Sequence, residues 1–290
     1  MVDHHLTSEE LTSTVPSDLP ELLIQPSRGW FELNLRDLWR YRELLFFLTW
    51  RDIKVRYKQT VLGAAWAVLQ PLLTMVVFSV IFGTLAGLPS DGIPYPIFTY
   101  TALLPWQLFA YALTQSSTSL VADQRLITKI YFPRLVIPIS SVFAGLLDFA
   151  IAFLVLMGMM VFYKIQITAR LLVLPALVLL AVVTALAIGL WLSALNVKYR
   201  DVRYALPFLT QLAFYATPIA YSSSIIPENW LWLYSLNPMV GVVEGFRWAL
   251  LDTTYTVGPM VLVSSVVVLL LLVGGLVYFK RMEEDFADII

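Results

Sequence analysis

The stretch that decides the fold class is LLVLPALVLLAVVTALAIGLWLSALNV, residues 171–197, which holds no Asp, Glu, Lys or Arg. A helix needs about 20 mostly apolar residues to cross the roughly 30 Å hydrocarbon core of a bilayer. Five other stretches of comparable length, 59–90, 92–122, 135–163, 204–227 and 253–279, are interrupted only by Asp148. The pattern predicts an all-α integral membrane protein with six spanning helices, over about 62–88, 97–119, 135–163, 171–196, 205–226 and 259–279.

The composition excludes several other classes of protein. Hydrophobic residues make up 59% of the 290-residue chain and charged residues 13%, against about 45–50% and about 25% in soluble chains. The chain has no cysteine, and its two histidines both lie near the N-terminus. We therefore expect no soluble enzyme core, no disulfides and no metal site.

Basic residues are distributed unequally on the two sides of the predicted spans. Near the span ends, 14 Lys and Arg lie on one side and 3 on the other. Cytoplasmic loops are enriched in these residues, so both termini are predicted to be cytoplasmic. Residues 1–30 are polar and proline-containing, which predicts a disordered cytoplasmic arm rather than a signal peptide.

The segment 31–60 mixes aromatic and basic residues immediately before the first predicted span. This mixture predicts an amphipathic helix that lies flat at the lipid headgroups. Such a helix is either a membrane anchor alone or a cytoplasmic collar that also contacts a partner. The residues assigned to this interfacial helix are Trp39, Arg40, Trp50, Arg51, Lys54 and Arg56.

The connection 120–134 after the second predicted span is too short for a domain and too apolar for a free loop. It predicts one short cytoplasmic helix that ends at Pro133. Its apolar residues must be buried against the protein's own spans, against lipid or against a partner. The candidate docking residues are Asp123, Arg125, Leu126, Lys129, Ile130, Tyr131, Phe132, Pro133 and Arg134.

The segment 227–258 lies on the outer side and is rich in Trp, Gly and Pro. These interruptions predict one or two half-helices that dip into the outer leaflet, where protein or a water-filled cavity covers the freed backbone groups. Trp and Tyr at this level also fit a simple interfacial belt of aromatic residues.

Chemistry inside the predicted spans is limited to Asp148, which is a functional candidate or a packing residue bonded to a neighbouring Ser or Thr. The sequence contains no G-x-x-x-x-G-K-[ST] phosphate loop, so any ATP-driven energy must come from another polypeptide. Three hypotheses remain open: the membrane half of an ATP-driven transporter, a stand-alone ion-coupled carrier or flippase, and a membrane-embedded transferase. The cytoplasmic apolar connection and the scarcity of buried charge favour the first.

Several short blocks, in their order and spacing, resemble the permease subunits of ABC-2 type exporters of polysaccharides and polyol phosphates, which include O-antigen and teichoic-acid transporters. The blocks are Arg51–Tyr57, Thr60–Gly63 with Trp66, Gln70-Pro71, Leu104–Trp106, Thr128–Arg134, Asn196 with Tyr199–Asp201, Thr217–Ile219 with Tyr221, and Asn237–Met239. The resemblance covers roughly residues 30–290, which leaves the N-terminal arm outside the shared pattern.

The resemblance implies a non-enzymatic subunit of the cell inner (plasma) membrane that forms a homodimer. Two separate nucleotide-binding ATPase subunits would hold ATP and Mg and contact the segments 36–58 and 123–134. The substrate would be a lipid-linked glycan, with membrane lipids as further partners and no nucleic acid.

The resemblance also assigns the transport path. Spans one and five of both copies would line the channel, with Trp66, Phe78, Phe82, Phe208, Gln211, Phe214 and Tyr215 as candidate lining residues. Short re-entrant helices around 228–251 would close the outer mouth, with Trp230, Trp232, Pro238 and Trp248 as candidate gate residues. Each of these aromatic residues also fits a lipid-facing or helix-packing position.

Overall fold

The computed structural model of the chain describes residues 35–58, 65–253 and 258–283 together with Phe286. The predicted arm, residues 1–30, and the block Thr60–Gly63 lie outside the described residues. The helices are α1 (Leu35–Arg40), α2 (Arg42–Lys58), α3 (Ala65–Phe78), α4 (Tyr95–Ala122), α5 (Gln124–Ile127), α6 (Val136–Phe162), α7 (Leu174–Lys198), α8 (Val202–Tyr215), α9 (Glu228–Tyr234), α10 (Pro238–Leu251) and α11 (Gly258–Glu283). A π-helical segment extends α3 over Ser79–Leu85, and 3₁₀ turns cover Ala169–Val173 and Ser223–Ile225. The all-α fold class is therefore confirmed over the described residues.

Four helical segments in the described part of the chain are long and apolar enough to cross a membrane. They are Ala65–Leu85, Val136–Phe162, Ala169–Lys198 and Gly258–Glu283. These segments coincide with the first, third, fourth and sixth predicted spans, which confirms a multi-pass membrane protein.

The second and fifth predicted spans differ from these four. Helix α4 covers the second span over 28 residues, but Thr, Ser, Gln and Tyr side chains lower its mean hydropathy. Helix α8 has 14 residues, which corresponds to a length of about 21 Å, less than the hydrocarbon core. The predicted helix over 205–226 is therefore wrong beyond Tyr215. Pro218 explains the stop, because it has no N–H to continue the helical hydrogen-bond series.

Helix α4 lies at the centre of the core, and 18 of its residues are buried. It packs mainly against α6 and α7, and α7 in turn packs against α11. Helices α3 and α8 are mostly unburied. Within the chain, α3 buries only Pro71 and α8 buries only Leu206. Most of the surface of these two helices is therefore available to lipid or to a second copy.

The predicted amphipathic helix is corrected in two respects. It is broken at Tyr41 into α1 and α2. In α2 the apolar residues Leu44–Leu48 occupy the first half and most charged residues lie in the second half. Polarity therefore changes along the axis of α2 rather than around it, and Leu48 is buried in a core cluster with residues of α6 and α11.

Candidate functional site

The predicted interfacial helix and the predicted docking connection contact each other at one end of the molecule. The Arg51 guanidinium donates two hydrogen bonds to the Asp123 carboxylate, each 2.8 Å long, and its Nε donates to Asp52 at 3.0 Å. The hydrogen bond to Asp123 raises the pKa of Arg51, whereas burial raises the pKa of Asp52. This bidentate pair fixes α2 to the residue that precedes α5.

The predicted docking residues divide into an exposed set and a set held inside the chain. Helix α5 is a single turn, shorter than the predicted helix, and turns follow it. Ile130 and Tyr131 are 57% and 70% exposed, and Arg125 and Lys129 are exposed beside them. The prediction that Phe132 is available for docking is wrong, because Phe132 is 5% exposed and packs in the chain's own core.

The other docking residues are tied to neighbouring elements. Arg134 donates from its side chain to the Glu283 carbonyl oxygen and from its backbone N–H to the Glu283 carboxylate at 3.2 Å. Leu126 and Pro133 are half-buried. The connection is therefore anchored to α2 at its start and to the end of α11 at its finish.

Asp148 has partners that the sequence reading did not propose. Arg56 of α2 forms an ion pair with the Asp148 carboxylate, and the Tyr57 hydroxyl donates to it. The Arg56 guanidinium also lies 4.2 Å from the centre of the Tyr111 ring. Of the two alternatives for Asp148, the bond to a neighbouring Ser or Thr is not the one found, because its partners Arg56 and Tyr57 both belong to α2.

A cavity of about 470 Å³ adjoins this ion pair. Of the predicted channel residues, Trp66 and Phe214 line it. The sequence analysis missed its polar lining, which comprises Gln70, Thr74, Gln107, Thr114 and Gln115. The spacing of these polar residues could have revealed the lining, because residues three or four positions apart in a predicted span lie on one face of its helix.

Aromatic rings form a continuous cluster beside the cavity. Phe78 lies 5.0 Å from Phe82 and 5.7 Å from Phe214, measured between ring centres. Phe214 contacts Tyr215 at 5.6 Å and Trp106 of α4 at 5.5 Å. Four predicted channel residues thus meet across α3 and α8, and Trp106 is an addition that the prediction missed.

The two remaining channel candidates, Phe208 and Gln211, lie on α8 and are exposed. They are not part of the aromatic cluster. Their exposure on a helix that buries only Leu206 leaves them on the surface that a second copy could cover.

The outer candidates also differ among themselves. Trp230 and Trp232 of α9 are 56% and 64% exposed, and Pro238 is the first residue of α10. Trp248 is half-buried beneath the guanidinium of Arg170, which lies 4.9 Å from its ring centre.

Two of the sequence blocks that carried the resemblance are in contact at this end. The Asn237 carboxamide donates to the Thr217 hydroxyl at 3.0 Å and accepts from the Met239 N–H at 3.1 Å. Asn237 therefore caps α10 and binds the chain that leaves α8, which explains why both blocks carry polar residues beside proline.

A buried ion pair was missed altogether. Arg247 and Glu244 of α10 are 3.0 Å apart, with side chains 1% and 4% exposed. The pair lies in the outer segment 227–258, so the sequence analysis, which considered buried charge only inside the predicted spans, did not identify it. An acid and a base three residues apart in an apolar segment lie on one helical face, and this spacing was the available signal.

Comparison with known proteins places the chain in a family. The family model described as ABC-2 type transporter matches residues 43–251, so the chain belongs to the ABC-2 type transporter family. This membership confirms the resemblance and favours the first of the three hypotheses, a membrane component of an ATP-driven transporter.

Three relatives match over most of their length. The O-antigen export system permease protein RfbA of Klebsiella pneumoniae is 31% identical over 249 residues, which cover 86% of this chain and 95% of the relative. RfbA of Myxococcus xanthus is 30% identical over 258 residues, covering 88% and 98%. The polysialic acid transport protein KpsM of Escherichia coli is 27% identical over 241 residues, covering 81% and 91%.

Proposed function

We propose that this chain is the permease subunit of an ATP-driven exporter that moves a lipid-linked polysaccharide from the cytoplasm to the outer side of the inner membrane. The family and the names of its relatives support a polysaccharide as substrate. The structural observation that carries the proposal is the cavity of α3, α4 and α6, with its amide and hydroxyl lining beside an aromatic cluster. Sugar rings have apolar faces and polar edges, and this combination of groups suits both.

The proposed topology has six spans. Helix α4 supplies the second span, and α8 with the turn that follows it supplies the fifth. Helix α2 lies at the cytoplasmic interface, and both termini are cytoplasmic, as the distribution of Lys and Arg indicates. Helices α9 and α10 form the re-entrant outer gate, with Trp230, Trp232, Pro238 and Trp248 at the outer interface.

The proposed assembly is a homodimer with two nucleotide-binding subunits. The exposed surfaces of α3 and α8 support a second copy, because six helices of one chain do not easily enclose a sugar-wide path. Exposed Ile130 and Tyr131 with Arg125 and Lys129 support a contact with the ATPase. ATP and Mg would be held by that subunit, and the Arg51–Asp123 pair would transmit its movement to α2.

Inverted membrane vesicles test the proposal, because export then carries the glycan into the lumen. Vesicles that contain the complex and the lipid-linked glycan are given ATP, and the glycan is then treated with an externally added glycan-degrading enzyme. We expect ATP-dependent protection with the unaltered chain and little protection with Trp106→Leu/Gln107→Leu. Leu154→Ala, on the exposed surface of α6 and outside the cavity, is the matched control and should retain protection.

The same vesicles distinguish the alternatives. Protection that is driven by a cation gradient without ATP or the ATPase would contradict the proposal and favour the stand-alone carrier. Formation of a new covalent glycan product by the purified chain would favour the transferase.

A further inference from the structure

The chain between α8 and α9 leaves the helical path inside the fifth predicted span. Residues 216–222, here called the outer turn, are not helical. A broken helix frees backbone carbonyl groups, and within a membrane these groups need partners from the protein. The outer turn obtains them from side chains: Asn237 Nδ2 donates to the Ala216 oxygen at 3.4 Å, and the Tyr95 hydroxyl donates to the Ala220 oxygen.

Arg247 supplies two further donors to the outer turn. Its Nη2 donates to the Ile219 oxygen at 3.0 Å, and its Nη1 donates to the Tyr221 oxygen at 3.3 Å. The same guanidinium lies 3.6 Å from the centre of the Phe98 ring of α4. One fully buried side chain therefore joins α10, the outer turn and α4.

Glu244 makes this arrangement possible for a charged group. Its carboxylate accepts from Arg247 Nη1 at 3.0 Å and from the Ser223 hydroxyl at 2.8 Å. A buried guanidinium without a counter-charge would be strongly unfavourable in an apolar environment. The pair thus allows the two Nη groups of a charged guanidinium to donate to two backbone oxygens of the outer turn at a depth where water is scarce.

The two outer helices differ sharply in burial. Helix α10 buries 12 of its 14 residues, whereas α9 has no buried residue. Helix α9 is held to the outer turn through the hydroxyl groups of Tyr234 and Tyr221, which are 2.9 Å apart. The outer end therefore has one firmly packed helix and one that lies on the surface.

We propose that Arg247 is a positioning residue for export: with Glu244 as its counter-charge, it fixes α10 and the outer turn against α4 as the stationary wall of the outer mouth. Opening is then left to α9. The inference rests on the proposed function in taking α9 and α10 as the outer gate, and it adds which part of that gate moves and which residue prevents the other part from moving.

Cysteine labelling tests the proposal directly, because the natural sequence contains no cysteine. Val243→Cys reports on α10, where Val243 is fully buried, and Trp232→Cys reports on exposed α9. Each variant is placed in nanodiscs with its ATPase and treated with a membrane-impermeant maleimide, with and without ATP. We expect Trp232→Cys to react at a rate that ATP changes, and Val243→Cys to stay protected in both conditions.

The decisive variant is Glu244→Gln/Arg247→Met in the Val243→Cys background. It removes both charges together, so no unpaired charge remains and the fold is retained more readily than after a single substitution. Without the two Arg247 donors, we expect Val243→Cys to react about tenfold faster or more, because α10 opens locally. ATP-dependent glycan protection should fall in the same variant.

Two controls keep the interpretation specific. Ala194→Cys, buried in the cluster at the cytoplasmic end, should stay protected in the decisive variant, which shows that the rest of the fold is intact. Arg170→Gln/Asp252→Asn removes an exposed outer ion pair, 39% and 61% exposed, and should leave Val243→Cys protected.

The proposal is overturned if Val243→Cys stays protected in the decisive variant, or if Ala194→Cys becomes equally reactive, because Arg247 would then be merely a general packing residue. Failure of the unaltered complex to protect its glycan would instead contradict the proposed function. The two failures are distinguishable because labelling does not depend on transport.

Discussion

The two ends of the molecule use ion pairs in different ways. At the end that we propose to be cytoplasmic, Arg51 and Asp123 join α2 to the predicted docking connection, with side chains 35% and 17% exposed. At the outer end, Arg247 and Glu244 are 1% and 4% exposed and lie on the same helix. The first pair links two elements, whereas the second satisfies backbone oxygens of a broken span.

This difference follows from the surroundings of each pair. A half-exposed pair stays hydrated, contributes modestly to stability and can rearrange when a partner binds. A buried pair depends on complete satisfaction of its hydrogen-bonding groups, so the loss of one partner has a large effect. We therefore associate the cytoplasmic pair with movement and the outer pair with rigidity, and five sets of substitutions test or sharpen that comparison.

The largest expected effect is on the outer pair. Glu244→Ala leaves the charge of Arg247 buried without a partner, and we expect a loss of about 3–5 kcal/mol in the free energy of unfolding. The measurement is the unfolding of the detergent-solubilised chain, with Asp123→Ala as the comparison. Equal losses for the two variants would show that the two ends do not differ as described.

The next effect concerns the exposed part of the docking connection. Ile130→Glu/Tyr131→Glu should weaken binding to the ATPase by about tenfold to a hundredfold, or about 1.4–2.7 kcal/mol. Affinity is measured with purified subunits in nanodiscs. Tyr204→Glu is the matched control, since Tyr204 is also 70% exposed, and unchanged affinity of the double variant would reject this contact.

A smaller effect is expected for the pair at the cavity. Asp148→Asn retains an acceptor for Tyr57 but loses the charge opposite Arg56, so we expect a loss of about 1–2 kcal/mol in stability. A double-mutant cycle with Arg56→Gln should give a coupling energy of about 1 kcal/mol. A coupling energy near zero would mean that the ion pair does not hold α2 against α6.

The smallest effect is expected for Arg51 and Asp123. Their coupling energy in a cycle of Arg51→Gln and Asp123→Asn should be about 0.5–1 kcal/mol. Raising the salt concentration to about 1 M should reduce it, because exposed charges are screened. Destabilisation by Glu244→Ala should not respond to salt, and a similar response at both ends would remove the contrast in burial.

Asp52 adds a pH dependence at the cytoplasmic end. Burial raises the pKa of its carboxyl above the ordinary value of 3.8, so the folded chain binds this proton more tightly than the unfolded chain. The contribution of this carboxyl to stability therefore falls as the pH rises above that value. Asp52→Asn should remove this slope from the pH profile of unfolding, and an unchanged profile would contradict the assignment.

The sequence alone determined the class of the protein and the position of most spans. Long runs without charge leave a chain few options other than crossing a bilayer as helices, because a lipid environment demands internal backbone hydrogen bonds. The same reasoning failed after Tyr215, where Pro218 and a set of distant donors replace helical hydrogen bonds. The sequence pattern identifies a run of apolar residues. It does not show where side-chain donors replace the backbone N–H groups of a helix as hydrogen-bond partners of the carbonyl oxygens.

Some features of the candidate site were likewise predictable from the sequence, and others were not. Aromatic candidates such as Phe78 and Phe214 were predictable by type, and their contact across α3 and α8 came from packing. The partners of Asp148 and the burial of Phe132 were not predictable, since they depend on which helices become neighbours.

The amino-acid sequence by itself determines that this chain folds in a membrane, because its long apolar runs have a lower free energy in hydrocarbon than in water. Only the tertiary structure decided which partners and which degree of burial the few charged residues have. Arg56 and Arg247 are both arginines outside the predicted spans, yet one borders a cavity and the other is fully buried in the outer end. The physical reason is that the effect of a charge depends on its distance from water and from its counter-charge, and three-dimensional packing sets both distances.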